Sequence, residues 1–98
     1  MTALRRRIDA LDDKLVVLLA RRQREIEQAA GIKRQTGLPA RTPARVNEVI
    51  ARVCASAQRE NLSIDLATTL WTAMIEWSIG HEGRLLQASH DALPEFVV

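Results

Sequence analysis

Ninety-eight residues allow a single domain, with a core small enough that association with a second copy is an open route to stability. Nearly half of the residues are hydrophobic and over a quarter are charged, the profile of a soluble globular chain. A formal charge of +2 and only three aromatic residues argue against a general nucleic-acid binder, and no apolar run reaches membrane-spanning length.

The first predicted element is a helix from about Thr2 to Arg34. Its apolar residues, Leu4, Ile8, Leu11, Leu15, Leu18, Ile26 and Ala29, recur in steps of three and four, as one face of a helix requires. No proline interrupts it, and Thr36 and Gly37 supply C-terminal punctuation. The second helix is predicted to open at Thr42, an N-cap residue followed by proline at the first helical position, and to fade near Asn61. Val46, Val49, Ile50, Val53, Cys54 and Ala57 form its apolar face. A third helix is predicted from Ser63, with Asp65 favourably placed in its first turn, to about Ser89. Pro94 marks the remainder as a tail. The chain thus divides into a helical domain, residues 1–90, and a tail, residues 91–98.

No stretch alternates with strand period, so the fold class is all-α, with three helices per chain. A first helix of this length spans about 45–50 Å, more than a compact domain of this size covers. Its continuous stripe calls for packing, and an intertwined helical homodimer satisfies it. Cys54 alone excludes an internal disulfide and fits a reducing compartment, and no signal-peptide pattern opens the sequence. The expected location is cytoplasmic.

The informative residues are charges that fall on apolar stripes. The steps of the first helix, continued past Leu18, land on Arg22 and later on Lys33. The two are eleven residues apart, three turns, at nearly the same azimuth and about 16 Å apart along the axis. Two long side chains so placed can bracket a small anion, or can snorkel to water. Arg5 lies about 25 Å from Arg22 along the same helix, so it reaches such a ligand only from a second chain in antiparallel pairing. On the third helix Ser78 and Glu82 are one turn apart on the continuation of an apolar face. Gly80 and Gly83 flank Glu82, which either a close approach of another backbone or ligand or a frayed helix end explains. His81 and His90 lack partners at metal-ligand spacing, no glycine-rich phosphate loop is present, and no nucleophile–base pair is evident. An enzyme built on this chain works by positioned charge, not by covalent chemistry.

These same residues carry a family likeness. "LRRRIDALDDKLVVLLARRQ", "GIKRQTGLPARTPAR" and "MIEWSIGHEG" together resemble the small all-helical chorismate mutase family of bacterial, intertwined-dimer type, over about residues 4–88. The resemblance implies rearrangement of chorismate to prephenate in aromatic biosynthesis, at sites shared between two chains and without a cofactor. It implies Arg22 and, from the other protomer, Arg5 as carboxylate clamps, Lys33 as donor to the ether oxygen, Arg45 in the second helix, and Ser78 near a carboxylate. Three positions depart from the common pattern. Thr42 stands where an acid is frequent. Val46 stands where a glutamate usually receives the ring hydroxyl. Glu82 stands where a glutamine usually donates to the ether oxygen, and it must be protonated to do the same, as in the yeast-like branch. The substrate is therefore a small dicarboxylate, chorismate first. Isochorismate pyruvate lyases, which form salicylate, and 4-amino-4-deoxychorismate mutases share the scaffold and stay open as alternatives. A non-enzymatic helical partner-binding module is the rival of another class, and a larger activating partner enzyme is a further expectation from the resemblance.

Overall fold

The structure is a computed structural model that describes residues 1–97, with side chains described through Gln87. It contains three α-helices: α1 (Thr2–Thr36), α2 (Pro43–Arg59) and α3 (Ile64–Val97). Among the described residues there is no strand.

The punctuation of each helix follows from local chemistry. Gly37 takes the left-handed conformation (φ 74°, ψ 13°), and the Leu38 N–H donates to the Lys33 carbonyl at 3.0 Å, closing α1 with a 6→1 bond. Lys33 and Arg34 in the last turn oppose the negative end of the helix dipole. α2 starts where expected, with Thr42 extended (φ −123°, ψ 101°) and Pro43 at the first helical position. The Thr42 carbonyl accepts from Arg45 and Val46 N–H, but its side chain makes no capping hydrogen bond. The hydroxyl is therefore not spent on the helix end. α2 closes on Asn61, a left-handed residue (φ 57°), with Leu62 N–H on the Ala57 carbonyl at 2.8 Å. Ser63 caps α3 by accepting the Leu66 N–H on its hydroxyl oxygen at 3.3 Å.

α3 runs on to Val97, past the expected end near Ser89. Pro94 lies within it. The boundary of a tail at residue 91 is not marked by any change of secondary structure.

α3 packs on both other helices, and α1 and α2 do not pack on each other. The buried apolar residues are few and mostly small: Ala30, Ala57, Ala67 and Ile75. Residues 1–19 are all exposed, with Leu11 at 57% and Leu15 at 55%, so the predicted stripe of α1 is left bare from Leu4 to Leu18 and covered only further on, at Ile26 and Ala29. The radius of gyration is 17.4 Å, against about 13 Å for a compact chain of this length, and the long axis reaches 63 Å. No helix among the described residues is long and apolar enough to cross a membrane.

The glycines beside Glu82 meet no close backbone within the chain. A Cβ on Gly83 would find open space, and one on Gly80 would touch only the flexible end of Arg84 at 3.4 Å. Gly37→Ala is expected to destabilise the chain by about 1 kcal/mol through backbone strain alone. Gly83→Ala is expected to stabilise it by roughly 0.5–1 kcal/mol. Urea-unfolding midpoints compare the two, and destabilisation by Gly83→Ala would reveal a second backbone against α3.

Candidate active site

The end of α1, the start of α2 and the middle of α3 enclose one cavity of about 100 Å³. Arg22, Lys33, Thr42, Arg45, Val46, Ser78 and Glu82 all line it. The periodicity that places Arg22 and Lys33 on one face of α1 turns both toward α3. There Ser78 and Glu82 continue the buried face that carries Ala67 and Ile75. Ile26, Val49, Ile75 and Ile79 supply apolar walls, so Lys33 and Glu82 meet in a largely desolvated setting.

The polar groups are already engaged with one another. Arg22 Nη1 donates to Ser78 Oγ at 3.2 Å, which links α1 to α3 and aims the guanidinium. Lys33 Nζ lies 2.7 Å from Glu82 Oε2 and donates to the Ala40 carbonyl at 2.9 Å. Glu82 is 4% exposed, yet its Oε2 has no well-aligned hydrogen bond. The short distance to Lys33 makes that contact an ion pair held by charge, and it leaves capacity on the carboxyl for a further partner. Ser78 is also 4% exposed. Arg45 is the loose member: its guanidinium pairs with Glu48 at 2.8 Å on the exposed surface of α2.

Arg5 is not among the lining residues, as its distance along α1 requires. On the other side of the Arg22–Ser78 contact lies a second, wider hollow of about 340 Å³, walled by Leu19, Gln23, Ala73, Met74 and Trp77. It is mainly apolar, and Leu19 in its wall ends the exposed stretch of α1.

Three contacts had no sequence signal. The Ala40 carbonyl is a backbone group, invisible to side-chain patterning. Arg41 grips Glu76 with both arms of its guanidinium, at 3.0 and 2.7 Å. His81 stacks on Trp77, with ring centres 4.8 Å apart, and its Nε2 meets Glu27 Oε2 at 2.8 Å. The hydrogen bond from His81 holds the Glu27 carboxyl below its ordinary pKa, and the Arg41 fork does the same for Glu76. Each of these contacts adds stability above the usual carboxylate range and loses it as pH falls through the lowered value. His81, expected to lack partners for a metal, has instead an acid and a ring. His90 lies outside the described side chains.

The model of the family described as chorismate mutase type II matches residues 4–83. The chain belongs to that family. A chorismate mutase of Methanocaldococcus jannaschii is 26% identical over 76 residues, which cover 78% of this chain and 77% of that relative. No solved structure matches the chain at the same stringency. The span shared with the chorismate mutase type II family begins one residue before Arg5 and ends one residue after Glu82, so it takes in every lining residue.

A buried ion pair in this cavity is a poor investment in stability. Glu82→Leu should leave Lys33 without its counter-charge and cost about 2–3 kcal/mol. The double variant Lys33→Met, Glu82→Leu should recover most of that loss, as read from chemical denaturation. A double variant as unstable as the single would show that the pair holds the fold together.

Proposed function

We propose that the protein is a chorismate mutase, an isomerase that rearranges chorismate to prephenate among fixed charges. The observation that carries this reading is the convergence of Arg22, Lys33, Ser78 and Glu82 on one cavity in a chain of the chorismate mutase type II family. The reaction is intramolecular: one C–O bond breaks while one C–C bond forms, and nothing leaves the molecule. The protein has to hold the diaxial conformer and stabilise the negative charge that grows on the ether oxygen.

Arg22, steadied by Ser78, is suited to fork a carboxylate. Lys33 exchanges the Ala40 carbonyl for the ether oxygen. Glu82 as a carboxylate beside Lys33 opposes charge on that oxygen, whereas a protonated Glu82 leaves Lys33 free and adds a second donor. Arg45 is exposed enough to swing from Glu48 to the substrate. Thr42 lines the cavity, and its hydroxyl, unused at the helix cap, can offer a hydrogen bond to the ring hydroxyl.

A cavity of about 100 Å³ is less than ligand sites usually provide, about 300 Å³ or more. The bare stripe over residues 1–19 and the distance of Arg5 both point to a second copy. In that reading two chains pair α1 against α1, cover Leu4, Ile8, Leu11 and Leu15, and exchange Arg5 between their sites. The same reading places the enzyme in the cytosol, where a free Cys54 stays reduced.

One observation favours a second substrate. Val46 lines the cavity beside Val49 and Ile79 and cannot accept a hydrogen bond. A substrate whose hydroxyl sits on another ring carbon, isochorismate, meets less of a penalty there. The product would be salicylate with loss of pyruvate.

Purified protein should consume chorismate without added metal or cofactor, forming prephenate. Glu82→Gln, which puts an amide donor in place of the carboxylate beside Lys33, should raise the rate. Chorismate loss no faster than in buffer sinks the reading, and fluorescent salicylate from isochorismate in a parallel assay would replace it with the lyase. The shared site has its own test. Co-refolding Arg5→Ala chains with Arg22→Ala chains should restore about a quarter of the wild-type activity, because half of the dimers are mixed and each mixed dimer has one intact site. No recovery would place Arg5 outside the partner's site.

A further inference from the structure

The connection between α1 and α2, residues 37–42, decides how the cationic end of α1 faces the start of α2. The two helices do not touch, so their spacing depends on this loop and on what ties it to α3. The inner tie is Lys33. Its carbonyl accepts the Leu38 N–H at 3.0 Å and its Nζ donates to the Ala40 carbonyl at 2.9 Å. The outer tie is Arg41, whose Nη1 and Nη2 donate to Oε1 and Oε2 of Glu76 at 3.0 and 2.7 Å. Arg41 lies between Ala40 and Thr42, both of which line the cavity, and Glu76 follows Ile75 and precedes Ser78 by two residues.

Both side chains of the outer tie are about half exposed, at 50% and 54%. An exposed pair of this kind contributes little to global stability, but its two-point geometry fixes orientation as a single contact does not. The inner tie has a conflict built into it. Lys33 holds the loop with the same ammonium group that must turn to a bound anion. Once it turns, the Ala40 carbonyl is released, while the Arg41–Glu76 fork is unaffected because neither residue lines the cavity.

We propose that Arg41 and Glu76 are positioning residues: their fork clasps the α1–α2 loop onto α3 and keeps Ala40 and Thr42 over the anion site when Lys33 leaves the loop for substrate. This rests on the chorismate mutase reading for its substrate, but the clasp itself is a property of the free chain.

The test uses full-length Arg41→Gln, Glu76→Gln, Arg41→Lys and the swap Arg41→Glu with Glu76→Arg. Hydrogen–deuterium exchange of the free chains reads the clasp without any substrate. Each Gln variant should exchange about fivefold faster over residues 37–46 and be unchanged in the middle of α3. With chorismate, KM should rise about fivefold while kcat stays within about twofold, since the groups at the reacting atoms remain. Arg41→Lys should recover only part, lacking the fork, and the swap should recover most of both readouts. Unchanged exchange and KM in the Gln variants, or a swap no better than either single change, overturns the proposal. If the wild-type chain does not turn over chorismate, the functional reading fails and the exchange measurement still decides the clasp.

Discussion

The structure depends on one seam of α3 that is both the packing face and the polar face of the site. Ala67 and Ile75 bury against the other helices, and Ser78 and Glu82 continue the same line one and two turns further on. Because α1 and α2 do not pack on each other, this seam and the loop that joins them bring their residues together. Arg22 and Lys33 reach it from α1, and Thr42, Arg45 and Val46 from the start of α2. Polar groups on a buried seam are tolerated only when each finds a partner. Ser78 finds Arg22 and Glu82 finds Lys33, so the demand for satisfaction assembles the site before any ligand arrives.

Much of this was legible because it was periodic. Arg22, Lys33, Ser78 and Glu82 are conspicuous in sequence since each stands where the helical step requires an apolar residue. Gly37 and the Thr42–Pro43 pair were legible for a different reason, that backbone geometry restricts the residue types at a helix end. The Arg41–Glu76 fork and the Glu27–His81 contact were not legible. Each joins residues far apart in sequence and on polar faces, where any charge is unremarkable until the fold pairs it. The Thr42 hydroxyl misled in the opposite direction. Its position as N-cap is correct, but the sequence cannot say whether the side chain serves the helix or the cavity.

Composition set the remaining limit. A chain of this size with few and mostly small apolar residues buried has little core of its own, while residues 1–19 present leucine, isoleucine and valine to water. Burying about 25 cal/mol for each Å² of that surface is the largest stabilising term still available to the molecule. The same length that leaves the stripe bare puts Arg5 out of reach of its own cavity. In the proposed pairing, one event, the arrival of a second α1, would serve both folding and site completion.

The apolar wall of Val46, Val49 and Ile79 then carries the question of specificity. Fixed cations recognise any small dicarboxylate of the right span, since their attraction is to charge and not to ring substitution. Discrimination between ring isomers has to come from the uncharged groups. A site that lacks an acceptor leaves a buried substrate hydroxyl unpaired, at a cost of about 1–3 kcal/mol in binding. Thr42 is one helical turn from Val46 and lines the same cavity. Whether a ring substituent finds the Thr42 hydroxyl or the valine methyls is the physical difference between the candidate substrates.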